Sequence, residues 1–231
     1  TDYSYLNFNN RHTKSIEKLL KKNKIKSKLS LIDSSKYKPF LKRVNNKYFT
    51  SKGNFENLVF AYKIAKNLKI KDSTIFNAIN RFKGLPHRQE IVFSNKRILC
   101  INDSKATSFD ACYQSLINNN EIYWIVGGLP KYKDKFNFKG VKKKITKAYI
   151  IGKKTYFFEK KLKNKFPYEV SKNLQSSINA IYKDIKLSRN KHSTILFSPA
   201  AASFDQFNNF EDRGKFFKKL ILKKFKSELN V

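Results

Sequence analysis

RILCINDSKATSFDACYQSLINNNEIYWIVGG, residues 97–128, decides the fold. An apolar run, Arg97 to Ile101, reads as a strand. A polar loop, Asn102 to Thr107, follows it, and a helical pattern runs from Ser108 to Ile117. A second apolar run, Glu121 to Val126, ends on Gly127-Gly128. Strand, helix and strand in that order form the unit of a parallel sheet with crossover connections.

The same alternation continues downstream. A strand is expected at Ala148–Ile151, a helix at Tyr156–Lys163 and a short strand at Tyr168–Val170. A helix at Leu174–Lys186, a strand at Thr194–Phe197 and helical sequence to the C-terminus complete it. Upstream, Gln89 to Phe93 pairs with Arg97 to Ile101 as a hairpin around Ser94-Asn95-Lys96. Gly84-Leu85-Pro86 breaks the chain before that hairpin and marks a boundary between residues 1–84 and 85–231.

The first segment is read more coarsely. Strands are expected at Tyr5-Leu6-Asn7 and Leu29–Asp33, with a basic amphipathic helix at Ser15–Lys22 between them. Ser51–Asn54 punctuates. Leu58, Ala61, Ile64, Ala65 and Leu68 then recur at helical spacing, and Asp72-Ser73-Thr74 starts a further helix carried by Ile75, Ala78, Ile79 and Phe82.

Composition narrows the function classes. Hydrophobic residues make up 40% and aromatics 15% of 231 residues, enough for a packed core. No apolar run reaches bilayer length and no signal peptide opens the chain, so no membrane partner is expected. Cys100 and Cys112 make neither a disulfide framework nor, with His12, His87 and His192, a metal set. The net charge of +33 raises a basic nucleic-acid-binding module as the alternative reading. Against it, the lysines spread along nearly every element, and arginine is confined to Arg11, Arg43, Arg81, Arg88, Arg97, Arg189 and Arg213. The abundant Lys, Asn, Ile, Phe and Tyr all have AT-rich codons.

Ligands of parallel sheets bind beyond the carboxyl ends of the strands. Three loops there carry chemistry. Asn102–Thr107 offers Asp103, Ser104, Lys105 and Thr107, which suit a ribose and anionic groups, or equally a helix start capped by Thr107 or Ser108. Gly127-Gly128 lets backbone approach closely, with Lys131 beyond. SPAAASFDQFNNFEDRG, residues 198–214, holds no lysine at all. Ser203 and Gln206 fit a capping box there, which would turn free helix amides toward an anion, with Ala200, Ala201 and Ala202 leaving the approach open.

GLPHR (84–88), INDSKAT (101–107), GG-x-x-K (127–131) and SPAAASFDQFNNFEDRG (198–214), with Gly53-Asn54-Phe55-Glu56-Asn57 upstream, resemble the D-glutamate-adding Mur ligases in order and spacing. The resemblance covers residues 50–231 and is weak before them. It implies an α/β fold: a C-terminal Rossmann-like ligase domain with a mostly parallel sheet at 85–231, preceded by the tail of an α/β ATPase central domain at 1–84. It implies a cytoplasmic, monomeric, ATP- and Mg2+-dependent ligase of peptidoglycan synthesis and cell-wall biogenesis. That ligase joins D-glutamate to UDP-N-acetylmuramoyl-L-alanine through an acyl phosphate. Residue by residue, it implies that Asn57, Arg88, Asp103 and Lys105 meet the nucleotide, with Lys105 and Arg88 in catalytic roles. Thr107, Lys131, Ser203, Phe204 and Phe210 would bind D-glutamate. The chain has no G-x-x-x-x-G-K-[ST] loop. The expectation is therefore a C-terminal half, with phosphate loop and metal ligands upstream, inactive alone.

Overall fold

The computed structural model describes residues 2–50 and 52–225, and the chain divides into two units, Thr1–Lys83 and Gly84–Val231. In the first unit, strands β1 (Asp2–Asn7) and β2 (Ser27–Ile32) pair in parallel, with helix α1 (Thr13–Lys22) between them in sequence. Two 3-10 segments, Ser34–Arg43 and Lys47–Thr50, lead to helices α2 (Lys52–Asn67) and α3 (Asp72–Arg81).

The core face of α2 differs from the expected one. Phe55, Leu58 and Val59 are buried with Tyr62 and Ala65 beside them, while Ile64 and Leu68 lie 42% and 67% exposed. Two apolar stripes overlap on this helix. The stripe carrying the rings wins, because Tyr62 meets Phe40 and Phe76, with centroids 4.5 and 6.3 Å away, and aromatic rings bury the larger area. Gly53 and Asn54, expected as loop, form the first turn of α2 instead.

The second unit holds a six-stranded sheet in the order β3-β4-β8-β5-β6-β7. Its strands are β3 (Glu90–Ser94), β4 (Ile98–Asn102), β5 (Ile122–Gly127), β6 (Ile145–Ile151), β7 (Tyr168–Lys172) and β8 (Ser193–Phe197). Only the β3–β4 hairpin is antiparallel; the other pairs are parallel. The hairpin turns on Asn95, whose side chain accepts from the amides of Arg97 and Ile98.

Side-chain alternation sorts the sheet into two faces. Cys100, Tyr123, Ile125, Tyr149, Ile195 and Phe197 pack under helices α6 (Leu174–Leu187) and α7 (Phe210–Phe225). Ile101, Trp124, Val126, Ala148, Ile150 and Leu196 pack under α4 (Phe109–Ile117) and α5 (Thr155–Leu162). Every residue of β5 and β8 is buried, and apart from Ser193 and Thr194 at the start of β8 both strands read as near-continuous apolar runs, as central strands covered on two faces must.

Candidate functional site

The sheet order puts β4, β8 and β5 side by side. Their carboxyl ends therefore bring the three dressed loops together at one edge. Asn102 pairs with Phe197 and Phe197 with Ile125, so the loops leave the sheet at neighbouring positions.

Backbone bonds lace these loops. The Gly127 amide donates to Pro199 O at 2.9 Å, and Leu129 and Ala202 exchange two bonds of 2.9 Å each. The glycines are required here. A Cβ on Gly127 would stand 2.0 Å from Ile151 O, and one on Gly128 2.4 Å from Ala202 O, both at positive φ. Trp124 Nε1 donates to Ser198 O at 2.8 Å and ties β5 to the same turn.

Asp103 is buried beneath the loops. Its Oδ2 accepts from Ser115 Oγ at 2.6 Å and Ser198 Oγ at 2.8 Å, and its Oδ1 from the Gln89 amide at 3.2 Å. Burial pushes its carboxyl above the usual carboxylate range, against the pull of those three donors. The Gln89 bond also holds a residue in the left-handed region, at φ 48°. Asp103 thus already braces the loops that surround it.

Asn102 makes a second buried hub. Its Nδ2 donates to His87 Nδ1 at 2.9 Å and Gly214 O at 3.1 Å. Burial depresses the His87 pKa, consistent with a neutral ring accepting at Nδ1. The His87 carbonyl accepts from the Lys105 amide at 3.0 Å, so the Gly84–Gln89 turn and the Asp103–Thr107 loop are bonded together.

Two exposed cations, Arg88 and Lys105, therefore stand on loops joined to one another and flank the buried Asp103. Lys105 Nζ rests 3.9 Å from the centroid of the Phe210 ring. Ser108, rather than Thr107, caps α4, accepting from the Ala111 amide at 3.4 Å. This leaves the Thr107 hydroxyl outside the cap. Asp134 accepts from the Phe109 amide at 2.9 Å, and its own amide donates to Lys131 O, which fixes the turn carrying the exposed Lys131. Ser203 is buried, and Phe204 beside it is 71% exposed. Asn57 lies in the first unit, exposed on α2.

The capping box expected at Ser203 and Gln206 is not formed. Residues 203–207 make a single turn, with Gln206 N and Phe207 N donating to Ser203 O, and α7 begins at Phe210. Asn209 serves the helix instead, accepting from the Asp212 amide at 2.6 Å. The motif's polar residues are drawn to the sheet edge. Asp205 accepts from the Lys153 amide and Gln206 Nε2 donates to Lys172 O, tying in the loops after β6 and β7. Nor do Ala200 and Ala201 hold an approach open; both are fully buried in the core under α4 and α5.

The residue that sequence reasoning passed over is Arg213. It is 1% exposed and donates to Ser104 Oγ, Ser104 O and Ala201 O, bridging two of the three loops. Its signal was present: an arginine inside the lysine-free stretch of a lysine-rich chain.

Solved Mur ligases share this fold. The chain resembles the MurC ligase of Thermotoga maritima with a TM-score of 0.52, 17% identity, and 77% of this chain and 38% of that chain covered. Against MurF of Acinetobacter baumannii the TM-score is 0.55 at 13% identity over 74% of this chain and 38% of that one. These likenesses define the fold. No family model matches the chain.

Sequence relatives narrow the class. A Rickettsia felis protein named UDP-N-acetylmuramoylalanine--D-glutamate ligase is 36% identical over 76% of this chain and 39% of its own length. The Rickettsia prowazekii protein of the same name is 32% identical over 94% of this chain and 52% of its own. The chain belongs to the family of D-glutamate-adding Mur ligases, and it spans about half or less of the length of the curated relatives it matches.

Proposed function

We propose that the chain is the C-terminal part of an ATP-dependent ligase that joins D-glutamate to UDP-N-acetylmuramoyl-L-alanine through an acyl phosphate, in cytoplasmic peptidoglycan precursor synthesis. The observation that carries the reading is the lacing of three motif-bearing loops at adjacent strand ends in a chain 36% identical to a protein named for that activity.

The donor set suits an anionic nucleotide. Arg88 and Lys105 are exposed cations on bonded loops, and cations so placed stabilise charge on a transferring phosphoryl group. Asn57 and Asp103 are the remaining nucleotide contacts in this reading. Asp103 already accepts from three protein donors, so its part would be to brace the pocket and meet the ribose with its remaining acceptor capacity. Among the described residues no group of three or more His, Cys, Asp or Glu could hold a metal ion. In this reading the magnesium ligands lie upstream of this chain, and none of its residues is given a role through the metal.

D-glutamate brings two carboxylates that must be held while a neutral amine attacks. Lys131 supplies a point charge, Thr107 and Ser203 supply hydroxyl donors, and Phe204 and Phe210 shape the walls. A carboxylate arriving over Phe210 would compete with the ring for the Lys105 ammonium. Holding the amine about 3–3.5 Å from the acyl carbon is the main contribution such a cradle makes to rate.

The test uses the full reading frame from which this chain comes, with ATP, magnesium and UDP-N-acetylmuramoyl-L-alanine. Phosphate release with D-glutamate and not L-glutamate is expected. Release with neither, alongside nucleic-acid binding that weakens steeply with salt, would move the assignment to a basic binding module. The 231-residue chain alone, which has no phosphate-cradling loop, is expected to release none.

A further inference from the structure

Arg213 is a buried cation whose hydrogen bonds all go to neutral groups. Its Nε donates to Ser104 Oγ at 3.1 Å, and its Nη2 to Ser104 O at 2.9 Å and Ala201 O at 3.0 Å. Its Nη1 is buried with no hydrogen-bond partner. Among the described residues no carboxylate forms an ion pair with it. Gly128 leaves room beside Nη1, since a Cβ built on it would lie 3.4 Å away.

One side chain therefore bonds two of the loops directly, and the Leu129–Ala202 backbone pair ties the third to them. Ser104 immediately precedes Lys105, Ala201 lies two residues before Ser203, and Gly128 three before Lys131. A lysine could not do this, because one ammonium cannot reach two loops in a planar fork. The Asp205 carboxylate acts on this guanidinium only through space, so the charge is buried without a bonded anion, and an apolar side chain would fill the same space at lower cost. What the charge does offer is a fixed positive potential beneath a site for anions, felt strongly where water is excluded.

We propose that Arg213 is the positioning residue of the three-loop site, setting Lys105, Lys131 and Ser203 in mutual register, and that its charge, which no carboxylate of the described residues bonds directly, draws the carboxylates of the incoming amino acid. The identity of that ligand rests on the functional reading above; the positioning role does not. Burial draws the Arg213 pKa down to about 10, which still leaves it charged at neutral pH.

The test compares wild-type chain with Arg213→Lys and Arg213→Met by residue-resolved amide hydrogen exchange and by titration with D-glutamate. In Arg213→Lys, exchange in 102–107, 127–131 and 198–205 should quicken tenfold or more while β5 and β6 keep wild-type protection. D-glutamate affinity should fall at least tenfold in Arg213→Lys and further in Arg213→Met, where the charge is gone as well. Loop exchange at wild-type rates, or protection lost evenly across β5 and β6, overturns the positioning role. Equal affinity loss in both variants overturns the role of the charge. Should neither variant fold, Ser104→Ala removes one acceptor from the other side, and unchanged exchange in 102–107 and 198–205 then decides against the proposal. A wild-type chain indifferent to D-glutamate counts against the functional reading, and the exchange arm still judges Arg213.

Discussion

Replacing Gly128 by alanine should destabilise the second unit through its backbone rather than through any side chain. The residue sits at φ +131°, and its Cβ would lie 2.4 Å from Ala202 O and 3.2 Å from Ala201 Cβ. Carbon–oxygen contacts relax near about 3.3 Å, so Ala202 O must retreat by about 1 Å. The Leu129 N to Ala202 O bond, now 2.9 Å, would then exceed hydrogen-bonding range. Losing that reciprocal pair removes about 1–3 kcal/mol. Holding a non-glycine residue in this backbone region adds about 1–3 kcal/mol. The sum, about 2–6 kcal/mol, is a large share of the roughly 5–15 kcal/mol that stabilises a typical domain. Trp124, the only tryptophan and fully buried in β5, reports the loss directly in urea unfolding. With a slope near 2 kcal/mol/M the midpoint should fall by about 1–3 M. A shift under about 0.3 M would show that the Leu129–Ala202 bridge does not hold the loops, and the account of the site would fail with it. Gly53→Ala is the contrasting case: nothing lies within 4 Å of its Cβ, so α2 should be unchanged or gain up to about 1 kcal/mol, read from its amide exchange.

Three further outcomes are expected. Asn209→Ala removes the side chain that receives the Asp212 amide and should cost about 0.5–2 kcal/mol in urea unfolding, whereas Gln206→Ala should cost α7 nothing. Asp103→Ala leaves the Ser115, Ser198 and Gln89 donors without their acceptor; about 1–3 kcal/mol for each hydroxyl or amide that finds no water makes it the harshest of these three changes, measurable as a fall in thermal midpoint. His87 has a folded-state pKa below its ordinary 6.5, so it contributes stability that is present above that value and is lost as pH falls through the folded pKa. Glu90, Glu211, Lys215 and Lys218 face it. The acid-side loss of stability, compared at about pH 5 and about pH 7.5, should shrink in His87→Asn, and an unchanged loss would sink the assignment to His87.

Much of this architecture was legible because parallel strands and their helices announce themselves by period. Thr194 to Phe197 and Glu121 to Val126 are apolar almost throughout because both faces of the sheet are covered, and that is visible in the sequence itself. The three loops were legible for the same reason, since strand order alone brings strand ends together. What was not legible was the use each polar residue makes of its neighbours. Ser203 and Gln206 have the spacing of a cap, yet Gln206 is drawn to Lys172 O and the helix starts seven residues beyond Ser203, next to Asn209 and its bond from Asp212. Local pattern cannot show that competition, because the winning acceptor is far away in sequence. The core face of α2 was hidden similarly: Leu58, Ala61, Ile64 and Leu68 share a period with Phe55, Leu58, Val59 and Tyr62, and only Phe40 and Phe76 choose between them.

The missing lysines of residues 198–214 follow from that same competition. Elsewhere a lysine is harmless on this chain, since its stem lies along the surface and its head stays in water. Between Ser198 and Gly214 the backbone turns inward at Ala200 and Ala201 and the turn's carbonyls accept from the neighbouring loops. A strongly hydrated ammonium entering there would have to shed its water, and as a point charge it has no planar fork to match acceptors on two loops. The guanidinium of Arg213 is less strongly hydrated and answers three acceptors at once. Bias toward lysine codons can therefore paint the whole exterior, to a net charge of +33, and still stop at this segment. The boundary of the bias marks where a cation must be placed by geometry rather than merely tolerated by solvent.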